Sequence, residues 1–253
     1  TTGNSNVAVG KGALLSSTTA DSNVAIGDDA AQATTTGANN VAVGYHAFYA
    51  NTTGHTSVAV GDSALKTNTT GTGNTAFGYN ALEFNTTASD NTAAGYKALE
   101  ANTTASNNTA IGYLSSSANT TGDLNVTVGA HSNTTGTTAS ACTAVGVSAL
   151  RYLGTSSHNT GIGRSALHSS VSGSTGQLTG SHNTAVGSNA LFENTTGFDN
   201  VAVGSNALDA NTTGGSLVAI GRKALSANTT ANYNVAVGLE ALEVNTTGSG
   251  NVA

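Results

Sequence analysis

The stretch that decides the fold is residues 40–56, NVAVGYHAFYANTTGHT. The same phrase follows at once as SVAVGDSALKTNTTGTG, residues 57–73, and again as NTAFGYNALEFNTTASD, residues 74–90. We number each repeat from the residue that precedes the Val/Thr-Ala-Val/Ile-Gly tetrad, and the consensus is N-[VT]-A-[VI]-G-x-x-A-L-x-x-N-T-T-[GA]-x-x. Repeats begin at Asn6, Asn23, Asn40, Ser57, Asn74, Asn91, Asn108, Asn125, Cys142, Asn159, Asn183, Asn200, Leu217, Asn234 and, as a stub, Asn251.

The spacing between repeats is 17 residues except once, where it is 24. The seven extra residues lie within 168–182, HSSVSGSTGQLTGSH, and we predict a protruding loop there. A fixed period over the whole chain indicates a repeat architecture. We therefore predict a single array over residues 1–253, with 14 complete repeats from Asn6. Both ends fall in mid-repeat without a distinct capping sequence, so we expect the chain to be cut from a longer protein.

The composition excludes several classes of protein. There is no Pro, Met or Trp, only 8% of residues are charged, and 32 are Gly. Such a composition can indicate a disordered linker, but a linker lacks a strict apolar period. The net charge of −6 gives no basic surface, so no nucleic-acid partner is predicted. The apolar runs are too short to cross a bilayer, so no membrane span is predicted in this segment.

The period favours strands over helices. Seventeen residues are too few for two helices and a turn, and glycine occupies position 5 of all fourteen repeats. Position 4 is mostly Val or Ile, which favour strands. We predict an all-β fold, a parallel β-solenoid of 17-residue coils. Strands are expected near positions 2 to 5 and 11 to 14, with turns after the position-5 glycine and near position 15.

Both faces of the first predicted strand are apolar or small. Positions 2 and 4 point one way, and positions 3 and 5 point the other. One face can fill the narrow coil, although the pattern leaves open which face does so. The other face then needs a second surface, and a stripe of Ala and Gly suits close approach by an identical chain. We therefore predict a homo-oligomer. The candidate subunit-contact residues are Ala42, Ala59, Ala76, Ala93 and Ala110.

The phrase NVAVG…AL, at 40–48 and 200–208, resembles the short repeats in the heads of YadA-like trimeric autotransporter adhesins. Residues 74–122 are similar to the longer NTAIGYNAL…NTTG repeats of tail-fibre-like surface proteins of phages and bacteria. The resemblance covers essentially the whole chain. It implies a left-handed parallel β-roll, three chains side by side, and a rigid stalk or adhesive head. The three additional residues around Asn-Thr-Thr and the 24-residue repeat depart from the adhesin-head pattern.

Asn-Thr-Thr at positions 12 to 14 is the most distinctive polar feature. We favour a structural interpretation, a Thr/Asn strand edge or turn, and two functional interpretations remain open. Each asparagine starts an N-x-T sequon and is a candidate for glycan attachment. Alternatively, Asn at position 12 and Thr at position 14 form parallel surface ladders that bind ice or carbohydrate. The candidate residues are Asn51, Asn68, Asn85, Asn102, Asn119, Asn133 (displaced by three residues), Asn194, Asn211, Asn228 and Asn245.

Two other positions predict ladders. Asn at position 1 is expected to form an amide ladder that satisfies turn backbone groups, and Cys142, which replaces it once, is expected to be a small buried side chain. Position 6 is tyrosine in four repeats, which predicts a self-stacking aromatic ladder or, alternatively, a sugar-binding row. These candidates are Tyr45, Tyr79, Tyr96 and Tyr113.

Catalysis finds little support in the sequence. Glu83 and Glu100 share position 10 in adjacent repeats, but a solvated charged edge explains them better than an acid/base pair. The six His residues show no metal-ligand spacing, although His158 and His182 both precede a repeat start and are expected on neighbouring coils. We therefore predict no enzyme activity, no catalytic residues, no metal and no cofactor.

The sequence thus predicts a structural or adhesive segment of an extracellular fibre or stalk, on a cell surface or a virion tail. Three chains would form a stiff structure whose repeated surface ladders attach multivalently, with a host-surface or carbohydrate receptor as partner. One alternative is a monomeric ice- or glycan-binding solenoid that uses the Asn-Thr-Thr face. Another is an architectural filament coated with glycan.

Overall fold

The computed structural model describes residues 2–169 and 177–253, and it forms an all-β parallel β-solenoid in which each 17-residue repeat is one coil. The chain divides into two compact units, Thr1–Leu124 and Asn125–Ala253. The N-terminal unit contains β1 (Val7–Val9), β2 (Val24–Ile26), β3 (Val41–Val43), β4 (Val58–Val60), β5 (Thr75–Phe77), β6 (Thr92–Ala94) and β7 (Thr109–Ile111). The C-terminal unit contains β8 (Val126–Val128), β9 (Thr143–Val145), β10 (Thr160–Ile162), β11 (Thr184–Val186), β12 (Val201–Val203), β13 (Val218–Ile220) and β14 (Val235–Val237). The described residues include no helix.

Within each unit, consecutive strands pair in parallel and in register. Val41 of β3 lies opposite Val58 of β4, so every repeat position stacks on the same position of the next coil. The register survives the 24-residue repeat, where Thr160 of β10 pairs with Thr184 of β11. The protruding loop predicted within 168–182 falls largely outside the described residues, because residues 170–176 are not described. Its flanks do belong to the coil, since the Leu178 amide donates to the Tyr152 carbonyl over 2.9 Å.

The predicted strand near positions 2 to 5 is confirmed, and it ends at position 4. The glycine at position 5 then takes a backbone conformation that side chains rarely adopt, with φ of 135° at Gly44. A Cβ on Gly44 would lie 2.5 Å from the carbonyl oxygen of Gly61 in the next coil. Glycine is therefore required here both by its own dihedral angle and by the coil stacked beside it.

The second predicted strand, at positions 11 to 14, is wrong for the described repeats, which bend there. The amides of Thr52 and Thr53 both donate to the carbonyl of Thr69, over 2.9 and 3.2 Å. Evenly spaced parallel-strand bonding does not bring two successive amides onto one acceptor. The far side of the coil is thus hydrogen-bonded to its neighbour without strand geometry.

The core of each coil is small and consists mainly of the side chains at positions 3, 8 and 9. In the third repeat these are Ala42, Ala47 and Phe48, all fully buried, and most other repeats place Leu at position 9. That leucine lies in the left-handed backbone region, with φ of 51° at Leu65 and 52° at Leu82. The turn at positions 7 to 9 aims one large apolar side chain into the coil, while the two alanines leave room for it.

Candidate functional site

The position-12 asparagines form a ladder inside the coil. Asn68 Nδ2 donates to Asn51 Oδ1 over 3.3 Å, and Asn85 Nδ2 donates to Asn68 Oδ1 over 2.7 Å. The C-terminal unit repeats the arrangement, with Asn211 Nδ2 on Asn194 Oδ1 at 2.9 Å. The buried members are Asn51, Asn68, Asn85, Asn102, Asn119, Asn194, Asn211 and Asn228. The prediction that these residues form a surface ladder or carry glycans is wrong, because a glycan must be attached at the Nδ2 atoms that these contacts bury.

The two exceptions among the candidate asparagines have different causes. Asn245, in the last complete repeat, is only partly buried and still donates to the Gly248 carbonyl over 2.8 Å. Asn133 occupies position 9, the usual place of leucine, and is fully buried there. Its Oδ1 accepts a hydrogen bond from the Gly136 amide at 3.2 Å. Asn133 therefore belongs to the leucine column of the core and not to the position-12 ladder.

The two asparagines of one repeat converge on the same backbone carbonyl. Gly54 O accepts from Asn40 Nδ2 at 2.9 Å and from Asn51 Nδ2 at 3.1 Å. In the same way, Ala88 O accepts from position 1 at 2.8 Å and from position 12 at 3.0 Å. Both lone pairs of a buried carbonyl are satisfied, which removes a cost of about 1–3 kcal/mol for an unpaired polar group. The paired amides close each coil from within.

The predicted amide ladder at position 1 is confirmed. Asn40 Oδ1 accepts the backbone amide of Ser57, the position-1 residue of the next coil, at 3.0 Å. Where Cys142 replaces asparagine, its side chain is buried as expected, and its Sγ lies 3.7 Å from the Ser156 carbonyl. Burial raises the pKa of the Cys142 thiol. A thiol of raised pKa in a buried site is a poor nucleophile, so Cys142 fills the ladder position and does not provide a reactive group.

The threonines of Asn-Thr-Thr differ in exposure. At position 13 the side chain is half-buried, and its hydroxyl donates to the same position of the next coil, as Thr52 Oγ1 does to Thr69 O at 3.0 Å. At position 14 the side chains are exposed, and we call them the threonine rank: Thr53, Thr70, Thr87, Thr104, Thr121, Thr196, Thr213, Thr230 and Thr247. The predicted face on which Asn at position 12 and Thr at position 14 point the same way is therefore wrong. Only one of its two rows faces solvent.

The predicted subunit contact of alanines is also wrong. Ala42, Ala59, Ala76, Ala93 and Ala110 are completely buried within the single chain, because position 3 faces the coil interior. A coil of one short strand and tight turns has room for methyl groups and not for two β-branched side chains. Positions 2 and 4 consequently point outward, and we call these side chains the outer stripe.

The outer stripe places β-branched and aromatic groups on the surface of both units. Phe77 and Ile111 at position 4 are 46% and 43% exposed. In the C-terminal unit, Ile162, Ile220 and Val237 are also exposed. The alternation of the strand predicted this stripe as one of its two faces, but the sequence alone did not decide between the faces. Within the outer stripe, position 4 is apolar on every described strand, and position 2 is Val or Thr.

Three of the four candidate tyrosines form the predicted self-stacking ladder. The ring centroids of Tyr79 and Tyr96 are 5.4 Å apart, those of Tyr96 and Tyr113 are 5.3 Å apart, and the ring planes differ by only 11° and 13°. We call these three residues the tyrosine stack, and each is more than 40% exposed. Tyr45 does not belong to it. It stacks on His46 at 3.8 Å, and position 6 of the following coil is Asp62.

Glu83 and Glu100, the position-10 carboxylates of two adjacent coils, are held in ion pairs. Glu83 lies 3.7 Å from Lys66, and Glu100 lies 2.8 Å from Lys97. The hydrogen bond from Lys97 to Glu100 raises the pKa of Lys97. Each of these two carboxylates thus has a lysine as its ion-pair partner.

A second aromatic column occurs in the C-terminal unit. Tyr152 meets His168 edge-on at 5.0 Å, and His168 stacks on Phe192 at 5.0 Å. Burial, together with the positive charge of Arg151, lowers the pKa of His168 to about 4. His158 and His182 lie on neighbouring coils as expected, with stacked rings 5.1 Å apart. The part of the chain that the structure describes holds no group of three or more His, Cys, Asp or Glu side chains placed to bind a metal.

No known family model matches the chain, and no curated protein sequence matches it. Among residues 2–169 and 177–253, no helix is long and apolar enough to cross a membrane. The described coils present three repeated surface features: the outer stripe, the threonine rank and the tyrosine stack.

Proposed function

We propose that this chain is a structural or adhesive segment of an extracellular fibre or stalk, in which identical chains associate through the outer stripe. The supporting observation is that position 4 presents an apolar side chain on every described strand, with Phe77, Ile111, Ile162 and Ile220 each about two-fifths exposed or more. Soluble monomers rarely expose contiguous apolar patches larger than a few hundred Å². A repeated row of exposed apolar side chains on the strands is the kind of surface that marks a protein–protein interface.

The proposed partner is a second and a third copy of the same chain. In the outer stripe, position 2 is Val or Thr and position 4 is Val, Ile, Phe or Ala on each described strand, so two copies can align coil by coil and bury these side chains against one another. Three chains side by side is the arrangement that the resemblance to trimeric adhesins implies. In such an assembly the threonine rank and the tyrosine stack supply repeated groups for attachment. Many weak contacts to a host-surface or carbohydrate receptor then add through avidity.

Native mass spectrometry of the full chain tests the association. We expect three chains for the unmodified protein and a single chain for the double variant Phe77→Glu/Ile111→Glu. The added carboxylates would repel those of the neighbouring copies, and burying them at the shared face would cost free energy. The matched control is Thr87→Glu/Thr104→Glu, which adds the same charge on the exposed threonine rank and should leave the trimer intact. A monomeric wild-type protein would contradict the proposal, and a trimeric Phe77→Glu/Ile111→Glu protein would show that another surface holds the chains together.

The exposed threonine rank supports a second candidate, a monomeric solenoid that binds ice. Thr53, Thr70, Thr87, Thr104 and Thr121 repeat at the strand spacing of ~4.8 Å on consecutive coils. A monomer that shows thermal hysteresis, lost when Thr70, Thr87 and Thr104 are changed to Tyr, would favour this candidate. A glycan-coated filament has less support, because Asn245 is the only one of the candidate asparagines that is not buried.

A further inference from the structure

The phenol rings of the tyrosine stack are exposed to solvent and also stack on one another. Tyr79, Tyr96 and Tyr113 occupy the same position of three consecutive coils, directly after the position-5 glycine. The in-register pairing of β5, β6 and β7 holds their backbones one above another. The rings are nearly parallel, with centroids 5.3–5.4 Å apart, and each of the three residues is exposed.

Ring stacking of this kind is poorly suited to sugar binding. A sugar stacks on the face of an aromatic ring, and both faces of Tyr96 are covered by its two neighbours. What remains accessible is the ring edge, including the phenol oxygen and the carbons ortho to it. Those atoms are the ones at which tyrosine is oxidised and coupled.

We propose that the tyrosine stack is a site of oxidative cross-linking, in which Tyr96 forms dityrosine with Tyr79 or with Tyr113. The oxidant is a haem peroxidase with hydrogen peroxide. Each of two tyrosines gives up one electron and one proton, and the two radicals join by a carbon–carbon bond between ortho positions. The hydrogen on each joined ortho carbon then moves as a proton to the oxygen of the same ring, which restores both phenols. In total, two tyrosines and one hydrogen peroxide yield one dityrosine and two waters.

The bond would fasten one coil to the next. Tyr79 and Tyr96 are 17 residues apart, so the cross-link closes a short loop whose two ends already meet in the folded chain. A covalent loop of this size limits the unfolded ensemble and stabilises the fold, as a disulfide does. Cys142 is the single cysteine of the sequence and is a free thiol, so no disulfide can form within one chain. Dityrosine would give the chain a covalent cross-link of another kind.

The experiment treats the full-length chain with a haem peroxidase and hydrogen peroxide and measures dityrosine fluorescence in the single-chain band of a denaturing gel. Mass spectrometry of the digested band then locates a pair of peptides joined with the loss of two hydrogens. We expect Tyr96 in the cross-linked pair. Prior denaturation of the chain should abolish most of the signal, because it removes the stacking.

Conservative variants separate the stack from the other tyrosines. Tyr96→Phe keeps the ring and the fold but removes the central phenol, so within-chain dityrosine should be nearly lost. Tyr79→Phe and Tyr113→Phe each leave one adjacent pair and should retain part of the signal. Tyr45→Phe is the matched control at the same repeat position and should retain all of it. Undiminished dityrosine in Tyr96→Phe, or a mapped pair that excludes Tyr96, would overturn the proposal, as would equal yields from folded and denatured chains.

Discussion

Two regions of the molecule solve the same packing problem with different chemistry. In repeats 5 and 6, residues 74–107, the interior at position 12 is an amide ladder of Asn85 and Asn102. In repeats 9 and 10 the interior is apolar on that side, where Leu153 and Leu178 pair by a parallel bridge and are both fully buried. We call the first the amide region and the second the leucine region. The shared requirement is that the side of the coil near position 12 be filled and every buried polar group be paired.

The two regions also differ in how regular their repeats are. The amide region repeats without interruption and carries Tyr79 and Tyr96 of the tyrosine stack on its outside. The leucine region includes Cys142 in place of the position-1 asparagine, and the 24-residue repeat lies within it. Its strands nevertheless keep their register, as Thr143 pairs with Thr160. The strand side of the coil is therefore constant, while the far side tolerates replacement.

The largest effect should come from a position that both regions share. Gly78→Ala in the amide region and Gly163→Ala in the leucine region each add a Cβ where φ is about 130°. That Cβ would lie 2.6 Å from Gly95 O and 2.5 Å from Gly187 O, respectively. We expect each variant to lose more than ~3 kcal/mol of unfolding free energy, measured by chemical denaturation, since strain and clash act together. Ala94→Gly, an exchange at the neighbouring outward position, serves as the control and should cost far less.

Exchange of the two interior chemistries should have the next largest effect. Asn85→Leu leaves Asn68 Oδ1 without the donor that now lies at 2.7 Å, and we expect a loss of about 2–4 kcal/mol. Leu153→Asn places an amide beside Leu178, with no amide ladder to join, and we expect a similar loss. The measurement is again the free energy of unfolding. If Asn85→Leu were neutral, the amides would only fill space and the contrast between the regions would disappear.

The leucine region should also be the more sensitive to acid. The pKa of His168 is lowered from 6.5 to about 4, so the folded chain binds a proton less readily than the unfolded chain. As the pH falls from about 6.5 to about 4, the unfolded state is protonated first and stability declines. Because His168 is half exposed, we expect no more than ~1 kcal/mol from it. His168→Phe should flatten this part of the pH profile, measured as the free energy of unfolding at a series of pH values.

The smallest change should bring the leucine region closer to the amide region. Cys142→Asn restores the consensus at position 1 and offers Nδ2 to the Ser156 carbonyl, which the thiol now approaches at 3.7 Å. A gain of about 1 kcal/mol follows from one stronger buried hydrogen bond. Thermal unfolding measures it, with Cys142→Ala as the matched control that removes the thiol without adding an amide. A destabilised Cys142→Asn protein would mean that Leu178 and its surroundings have repacked around the sulfur.

Much of the fold could be predicted from the period. The strands at positions 2 to 4, their in-register stacking and the amide ladder at position 1 follow from the recurrence of N-[VT]-A-[VI]-G every 17 residues. The direction of the strand faces did not follow. Alternation assigns residues to two sides, but it marks the inside only when one side is clearly more apolar. Here Val43 points outward and Ala42 inward, because the interior limits volume more strongly than it selects for apolar surface.

The candidate sites were harder to predict because they depend on partners in other coils. Asparagine is mostly exposed in proteins. Asn68 and Asn85 can be buried because the Nδ2 of Asn85 donates to the Oδ1 of Asn68. Asn133 was grouped with the other candidates because it starts the same Asn-Thr-Thr sequence, although it lies at position 9 of its repeat and not at position 12. The tyrosine stack was predictable, since identical residues at one position of consecutive coils must lie side by side.

The unbroken register of the strands also makes the chain's length adjustable. The strand side of each described coil offers the next coil the same backbone carbonyls and amides, so an added or deleted consensus repeat would meet a matching strand. Gain or loss of a repeat would therefore change the number of coils in whole steps. Variation in copy number would alter how far the chain reaches, while the chemistry of each interior stays the same.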